Sequence, residues 1–338
     1  MIWPILKKIL FQMDAEKAHN LVMSMLKAGT FLYPKNLNAA SFCTKNLEQE
    51  LFGLSFKNPI GLAAGFDKNA ECLAAWQALG FGFIEVGTVT AIAQPGNPKP
   101  RIFRLPKDQA LMNRLGFNNV GAKNVAQNIE RQKGKIKIPL GINIGKSKVV
   151  DIKDAANDYL KSFETLSDLA DYLVINVSSP NTPNLRDLQS KNELKKLLNV
   201  ICNANEKKQN KKPLFLKLAP DLSLEQANTC AKTAIKFGLN GLVLTNTTIN
   251  KTGLIGPVPN GSGGISGAPV FEKSTFLLKN LAQEFGNKIL FIGVGGITSP
   301  KRAQEKINAG AKLIQIYTGF IYQGPLFVPK LLKNLSLK

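Results

Sequence analysis

The stretch Tyr172-Leu173-Val174-Ile175-Asn176-Val177-Ser178-Ser179-Pro180-Asn181-Thr182 decides the fold. Its first four residues are apolar and mostly β-branched or aromatic, which predicts a short buried strand. The strand must end in the small polar residues that follow, because Pro180 cannot continue it. Amides and hydroxyls therefore gather at the carboxyl end of a strand, where parallel α/β sheets bind ligands. An ordinary turn has the same composition, so the interpretation depends on whether such endings recur.

A repeating β–α rhythm runs through the rest of the chain. The predicted strands are continuous apolar runs, as expected when helices cover both faces of a sheet. They are Pro59–Ala63, Phe83–Gly87, Ile138–Asn143, Tyr172–Asn176, Leu214–Leu218, Gly241–Thr245, Ile289–Val294 and Lys312–Tyr317. Helices are predicted at 69–79, 119–132, 154–168, 191–206, 223–237, 272–285, 300–309 and 325–336, with Asn69, Asn118, Ser223 and Ser299 among the capping residues. Eight such units predict a TIM (β/α)8 barrel. A doubly wound open sheet is the alternative, but no GxGxxG follows the first strand.

Residues 1–40 do not share this rhythm and predict an N-terminal helical hairpin, separate from a barrel domain at 41–338. The first helix, Met1–Phe11, is amphipathic and basic. The second begins after the capping residue Asp14 and extends to about Lys27. Neither helix is long enough to span a bilayer. The hairpin either packs on the barrel or lies on a membrane surface.

Charge and composition narrow the function classes. The 338 residues include Lys+Arg 44 and Asp+Glu 23, a net charge of +21. This excess favours nucleic acid, anionic lipid or a phosphate-bearing cofactor as partner, unless the charges are simply spread over solvated helices. The four cysteines, Cys43, Cys72, Cys202 and Cys230, form no CxxC, so neither a zinc nor an iron–sulfur site is indicated. No metal is expected, since His19 is the sole histidine. The scattered cysteines fit a reducing cytoplasm.

Polar or glycine-rich endings do recur after the other strands. Lys217 lies inside an apolar run, and a lysine there is expensive to bury unpaired, so we expect it to face a ligand of negative character. Glycine clusters follow the seventh and eighth strands, at 293–296 and at Gly319. Those positions bind phosphate in TIM barrels. Together the endings predict one ligand site at the barrel mouth.

In the residues at and near these strand ends, the chain resembles the dihydroorotate dehydrogenase family, the FMN enzymes of pyrimidine synthesis. The resembling segments follow the family's order and are 64–69, 113–119, 141–145, 176–182, 217–221, 264–267, 293–297 and 315–319. Serine at position 179 and the N-terminal extension both resemble class 2, the membrane-associated, quinone-linked form. The resemblance implies oxidation of (S)-dihydroorotate to orotate in de novo UMP synthesis, with FMN as hydride acceptor and a membrane quinone as final acceptor.

The resemblance also implies roles for individual residues. Ser179 would be the catalytic base that takes the C5 proton, and a hydroxyl needs a relay through threonine or water, with Thr182 near in the chain. Substrate contacts are implied for Lys68, Asn113, Arg114, Leu115, Gly116, Phe117, Asn176, Asn181, Asn246 and Thr247. Amides that both donate and accept suit the alternating groups of the substrate ring, and Lys68 suits its carboxylate. FMN contacts are implied for Ala64, Gly65, Phe66, Asp67, Lys68, Thr88, Asn143, Asn176, Lys217, Thr245, Gly267, Gly296, Tyr317 and Thr318.

Class 2 further implies a quinone site at the hairpin, with His19 and Arg104 as its polar groups. By itself His19 is more simply interpreted as a packed, hydrogen-bonded surface histidine. The implied partners are dihydroorotate or orotate, a respiratory quinone and a membrane surface. No nucleic acid and no obligate protein partner is expected, and the location would be peripheral, on the cytoplasmic face of the cell membrane.

Two rival functions remain open. A flavin enzyme that acts on RNA would use the positive charge, but it would need a catalytic cysteine, and Cys72, Cys202 and Cys230 fall inside predicted helices. A catalytically silent barrel that only binds a membrane or nucleic acid is the second rival. The complete set of polar strand endings argues against it.

Overall fold

The computed structural model describes residues 2–29 and 45–337 and has a closed barrel of eight parallel strands at its centre. The strands in chain order are β1 (Gln49–Leu51), β2 (Leu54–Phe56), β3 (Ile60–Leu62), β4 (Phe83–Val89), β5 (Ile102–Leu105), β6 (Ala110–Asn113), β7 (Leu140–Ile144), β8 (Tyr172–Asn176), β9 (Leu214–Leu218), β10 (Gly241–Leu244), β11 (Gly264–Gly267), β12 (Leu290–Val294) and β13 (Leu313–Ile316). The helices are α1 (Ile2–Gln12), α2 (Ala15–Gly29), α3 (Leu73–Ala78), α4 (Ala122–Glu130), α5 (Ala155–Leu166), α6 (Lys191–Glu206), α7 (Leu224–Lys236), α8 (Phe271–Phe285), α9 (Pro300–Asn308), α10 (Thr318–Gln323) and α11 (Phe327–Leu332).

The barrel closes in the order β3-β4-β7-β8-β9-β10-β12-β13 and back to β3. This confirms the predicted TIM barrel, and each predicted barrel strand agrees with the structure to within two residues at either end. Ser223 and Ser299 are confirmed as caps, since their hydroxyls accept bonds from Gln226 N and Arg302 N. The capping prediction was wrong for Asn69 and Asn118. The α3 helix begins only after Cys72, and α4 begins after Gly121.

The lower half of the barrel interior is filled by aromatic rings set against glycines. Phe83, Tyr172 and Phe215 each occupy the space that a Cβ on a neighbouring strand's glycine would take. The antiparallel hairpin β1–β2 covers this end, and the Phe52 ring lies 5.1 Å from the Phe215 ring. Because packed aromatics fill this end, the open end lies at the carboxyl ends of the strands.

A three-stranded antiparallel sheet, β5-β6-β11, stands beside that open end. The strands β5 and β6 come from the insertion after β4, and β11 comes from the loop after β10. Asn113 at the end of β6 pairs in register with both Ile102 and Gly264. The sequence pattern predicted no strands in these segments.

The N-terminal hairpin of α1 and α2 packs against this side sheet. Asp14 is confirmed as the cap of α2, because its Oδ1 accepts from the N–H groups of Glu16 and Lys17 at 3.0 Å each. The Glu16 carboxylate forms a buried ion pair with Arg101, at 2.7 Å from Nη2. On the other side of the hairpin, Trp3 Nε1 donates to Tyr322 O at 3.3 Å. None of the helices within the described ranges is long and apolar enough to cross a membrane.

The predicted hairpin domain extends to residue 40, and residues 30–40 lie outside the described part of the chain, as does Cys43.

Candidate active site

A deep cleft opens at the carboxyl ends of the barrel strands, between the side sheet and the loops after β12 and β13. It encloses about 1020 Å³ of empty space, its open mouth included. Most residues predicted for the ligand site line it together: Ala64, Gly65, Lys68, Thr88, Asn113, Leu115, Gly116, Phe117, Asn176, Ser179, Asn181, Lys217, Thr245, Asn246, Thr247, Gly267, Gly296, Tyr317 and Thr318. The strand endings therefore converge on one site, as the barrel topology requires.

Other predicted residues stand behind the cleft wall or turn away from it. Asn143 is fully buried and bonded to Thr88. Asp67 is fully buried and accepts from Glu71 N, Cys72 N and Trp76 Nε1, so it holds the loop after β3. Phe66 packs on Trp76.

The Arg114 guanidinium turns away from the cleft. It stacks 4.9 Å from the Phe103 ring and donates to Asn260 O.

Glu85 is an ion-pair partner for Lys217 inside the barrel. The Glu85 carboxylate is fully buried and lies 3.1 Å from Lys217 Nζ. It also accepts from Asn143 Nδ2 at 2.8 Å and from Gln315 Nε2. The sequence led us to expect a ligand of negative character at Lys217, and the protein itself already supplies a carboxylate there. Lys217 nevertheless lines the cleft, so it can act on a ligand as well.

Two adjacent serines follow β8, and the structure separates their roles. Ser178 Oγ donates to Asn176 Oδ1 at 2.7 Å and accepts from Asn246 Nδ2 at 2.9 Å, so its hydroxyl is engaged within the protein. Ser179 lines the cleft, and its Oγ accepts from Asn181 N at 3.2 Å. An oxygen that accepts a backbone hydrogen bond is better able to carry negative charge. Ser179, not Ser178, is therefore the hydroxyl suited to proton transfer.

The amide of Asn176 is already engaged within the protein. Its Nδ2 donates to Thr88 Oγ1 at 2.8 Å and to Asn143 Oδ1 at 3.0 Å. A ligand contact by this amide requires it to exchange one of these bonds. Across the cleft, Asn181 Nδ2 donates to Asn113 O and Oδ1 at 3.1 Å each, which joins the loop after β8 to the side sheet.

Arg186 and Asp221 hold two cleft loops in place. The Arg186 guanidinium donates to Ser178 O at 3.0 Å and to Thr247 O at 2.9 Å, and it forms an ion pair with Asp221 at 2.9 Å. Burial opposes ionisation of Asp221, but its hydrogen bonds, from Lys273 first, lower its pKa overall. The loop that carries Ser179 is thereby fixed relative to the loop that carries Thr247.

Glycines form the wall of the cleft after β11, β12 and β13. A Cβ on Gly296 would lie 2.6 Å from Phe271 Cα, and one on Gly319 would overlap Ile297 O. Gly267 and Gly296 also have φ of +92° and +74°, which residues other than glycine rarely adopt. The wall therefore presents backbone to the cleft, as an anion-binding cradle requires.

A second cavity lies between α2 and the barrel mouth, and His19 and Lys68 both line it. The imidazole ring of His19 packs 5.4 Å from the Phe66 ring. Burial lowers the pKa of His19 to about 3, and the charge of Lys68 adds to this effect. Burial also lowers the pKa of Lys68 to about 8, against the influence of the Glu16 carboxylate. Since Lys68 lines both cavities, it stands at their boundary.

Arg104 does not share that second cavity. Its guanidinium donates to Met13 O and Leu10 O and stacks 4.7 Å from the Phe11 ring. The structure thus brings His19 and Arg104 to the same hairpin but to different surroundings.

The described cysteines are buried or half-buried and away from the cleft lining. Burial raises the pKa of Cys72 and of Cys230 to about 12 and that of Cys202 to about 11, so these thiols stay protonated. The sequence predicted that Cys72 lies inside a helix, but in the structure it immediately precedes α3. Residues 2–29 and 45–337 include no group of three or more metal-ligating side chains.

Sequence reasoning missed Glu85, Arg186 and Asp221. For Glu85 the signal was present, since a carboxylate interrupts the apolar run Phe83–Val89 just as Lys217 interrupts its own. The Arg186–Asp221 pair carried no such signal, because both residues are ordinary loop residues until the fold joins them.

Comparison with known proteins agrees with this geometry. The profile of the family described as dihydroorotate dehydrogenase matches residues 46–338. A Trichormus variabilis protein named dihydroorotate dehydrogenase (quinone) is 50% identical over 314 residues, covering 90% of this chain and 83% of that protein. A protein of the same name from Corynebacterium diphtheriae is 48% identical over 325 residues, covering 94% and 88%. The crystal structure of ligand-free DHODH from Eimeria tenella is similar with a TM-score of 0.88 at 37% identity, covering 95% of this chain and 94% of that one.

Proposed function

Because the chain belongs to the dihydroorotate dehydrogenase family, we propose that it oxidises (S)-dihydroorotate to orotate with FMN as hydride acceptor and a membrane quinone as final electron acceptor. The reaction serves the synthesis of UMP. One observation carries the proposal: Ser179, its hydroxyl oxygen accepting from Asn181 N, shares a single cleft with Lys68, Lys217 and the glycine wall.

The chemistry of the cleft lining fits FMN. The backbone wall at Gly267, Gly296, Tyr317 and Thr318 suits a phosphate, because N–H groups without side chains can approach it closely. A positive charge at Lys217 suits the anionic reduced flavin. When bound, FMN supplies a two-electron acceptor for hydride.

The remaining lining residues suit dihydroorotate. Amides of Asn113, Asn181 and Asn246 can donate to and accept from the ring's own amide groups. Lys68 supplies a positive charge for the carboxylate. Leu115 and Phe117 add apolar surface around the ring.

Ser179 would take the proton from C5 of the substrate. A hydroxyl is a weak base by itself and needs a path for its own proton. Thr182, three residues on, has a buried Oγ1 without a hydrogen-bond partner among the described residues. We assign it to that relay, since an unpartnered hydroxyl is free to accept and pass on a proton.

The N-terminal hairpin, as a unit of residues 1–40 beside the barrel domain 41–338, would dock on the cytoplasmic face of the cell membrane and admit the quinone. Several apolar side chains of α1 and α2 face solvent: Ile5, Leu6, Ile9, Leu21 and Met25. An exposed apolar face next to lysines is typical of helices that lie in a membrane interface. The cavity beneath α2, with His19 in its wall, lies between this face and Lys68.

The test is an assay of purified protein with dihydroorotate and three acceptors: quinone, fumarate and a nicotinamide cofactor. We expect a yellow protein with flavin absorbance whose flavin is bleached by dihydroorotate and reoxidised fastest by quinone. A colourless protein would instead favour a silent binding barrel, and preference for fumarate or nicotinamide would overturn the quinone assignment.

Membrane docking has its own test, with vesicles of anionic phospholipid. The double variant Ile5→Glu, Ile9→Glu changes side chains that are 65% and 55% exposed. It should lose vesicle binding and quinone reduction while dihydroorotate still bleaches the flavin. The control is Phe276→Glu, which changes a 57% exposed side chain on α8. If both variants bind vesicles equally well, the hairpin is not the docking surface.

A further inference from the structure

Lys306 on α9 is a fully buried lysine that lies behind the glycine wall of the cleft. Its Nζ donates to Ser274 Oγ at 2.6 Å and to Val294 O at 3.4 Å. None of the ion pairs within residues 2–29 and 45–337 includes Lys306. A buried ammonium with neutral partners is costly, so its presence needs an explanation.

Arg302, one turn earlier on α9, adds a second cation at the same place. Its Nη1 donates to Gly296 O at 3.3 Å and to Thr298 Oγ1 at 3.2 Å. The Arg302 guanidinium lies 4.7 Å and Lys306 Nζ 5.3 Å from the centroid of the Phe271 ring. Two positive charges are thus gathered around one aromatic ring.

That ring and those charges are in direct contact with the cleft wall. Phe271 fills the space that a Cβ on Gly296 would need, and Ser274 Oγ lies 3.0 Å from the corresponding position on Gly295. Lys306 Cδ lies 3.4 Å from that position on Gly293. The ammonium itself donates to the backbone oxygen of Val294, which lines the cleft, so one layer of backbone separates the ammonium from the cleft.

The charge state of Lys306 depends on what lies nearby. Burial lowers its pKa to about 7, and the opposing charge of Glu272 only partly restores it. A dianion on the other side of the glycine wall would stabilise the ammonium, because charges interact strongly where water is excluded.

We propose that Lys306, with Arg302 beside it, is the counter-charge of the cofactor's phosphate monoester and acts through the Gly293–Gly296 wall. It is a positioning residue and need not touch the cofactor. This inference rests on the proposed FMN cofactor, and it adds a cation to a site otherwise made of backbone.

The experiment compares FMN with riboflavin, which has the same ring system but no phosphate. Full-length protein is stripped of flavin, its fold is checked by circular dichroism, and each flavin is titrated by fluorescence quenching. In Lys306→Met we expect FMN affinity to fall at least about tenfold, equal to about 1.4 kcal/mol. Riboflavin affinity should change less than about twofold, because only the phosphate interaction is lost. Lys301→Met, which changes an exposed lysine on the same helix, should leave both affinities unchanged.

Equal losses for FMN and riboflavin in Lys306→Met would mean a structural role and would overturn the proposal, as would no loss for FMN. If Lys306→Met does not fold, Arg302→Met takes its place. Arg302 is only half-buried, and we expect the same selective loss, smaller in size. If the unaltered protein binds no FMN, the proposed cofactor fails as well. If it binds FMN and the variants do not differ from it, only the role of Lys306 and Arg302 fails.

Discussion

Lys217 Nζ lies 3.1 Å from Glu85 Oε1, and the two side chains are enclosed together inside the barrel. A carboxylate only accepts hydrogen bonds, so Glu85 fixes the Asn143 amide with its Nδ2 toward Glu85 and its Oδ1 toward Thr88 and Asn176. The orientation of cleft amides therefore depends on a buried charge that does not line the cleft itself.

The change Glu85→Gln removes the negative charge opposite Lys217. We expect the midpoint potential of bound flavin to rise by roughly 20–40 mV, because the less compensated lysine stabilises the anionic reduced form. The free energy of unfolding should fall by about 3 kcal/mol, since a buried cation loses its partner. Redox titration with reference dyes and denaturant unfolding measure the two effects. Glu130→Gln, on the surface of α4, is the control. An unchanged or lower potential would show that Glu85 does not tune the flavin.

The change Ser179→Ala should slow flavin reduction by dihydroorotate about 10²–10⁴-fold while leaving dihydroorotate binding largely intact, because only proton transfer is lost. Stopped-flow absorbance measures both. Ser179→Cys should keep part of the rate. The neighbouring change Ser178→Ala should instead weaken binding, since Ser178 Oγ joins Asn176 to Asn246. A normal reduction rate in Ser179→Ala would remove this residue as the base.

Gly296 and Gly134 form a matched pair for testing the cradle. Their φ angles are +74° and +76°, but a Cβ on Gly134 meets nothing within 4 Å. Backbone strain should therefore cost each alanine variant about 1 kcal/mol of stability, and Gly296→Ala should lose more because its Cβ also clashes with Phe271. Only Gly296→Ala should also lose bound flavin, because its Cβ presses on Phe271 and displaces the wall. Flavin absorbance per polypeptide tests this. Full flavin content in Gly296→Ala would contradict the position of the cradle.

The sole histidine gives a pH test of the hairpin. Burial lowers the pKa of His19 to about 3. The folded state then binds fewer protons than the unfolded state wherever the pH lies between that value and about 6.5. Stability attributable to His19 should therefore fall as the pH drops through this window, by about 1–2 kcal/mol between pH 7.5 and pH 5. Denaturant unfolding of the unaltered protein and of His19→Gln compares the two slopes. Parallel slopes would show that His19 is open to water.

The barrel could be predicted because each barrel strand is an apolar run that ends abruptly in small polar residues. That pattern is local, and Tyr172–Asn176 is the clearest example. The side sheet could not be predicted in the same way. Its strands have four residues each, and Asn113 pairs with Gly264 across a long stretch of chain. Residues so far apart in the chain pair only because the folded barrel brings them together, so no local sequence pattern indicates the pairing.

The same distinction holds for the site. The position of residues such as Ser179 in the cleft could be predicted because they lie at strand ends, where topology alone brings them together. The prediction that Asn69 caps a helix was wrong, because the residue types that cap helices are also common in turns. Its Oδ1 accepts from Val120 N and so holds a loop, not a helix start. The burial of Lys306 could not be predicted from the sequence, because a lysine on a helix is normally solvated. Only the packing of the folded chain shows that this one is not.

The strands β5 and β6 restrict which segments of this enzyme can be replaced by those of its relatives in a chimera. Arg101, just before β5, pairs with Glu16 of the hairpin, and Asn113, at the end of β6, reaches the cleft. The continuous backbone from Arg101 to Asn113 thus both anchors the hairpin and lines the cleft, so the hairpin and the cleft cannot be exchanged independently. A chimera that receives a foreign hairpin must also receive the donor's residues 101–113, or the graft will lose its anchor. Chimeras with and without the donor's residues 101–113 would show whether the hairpin and this segment must be transferred together for the hairpin to stay anchored.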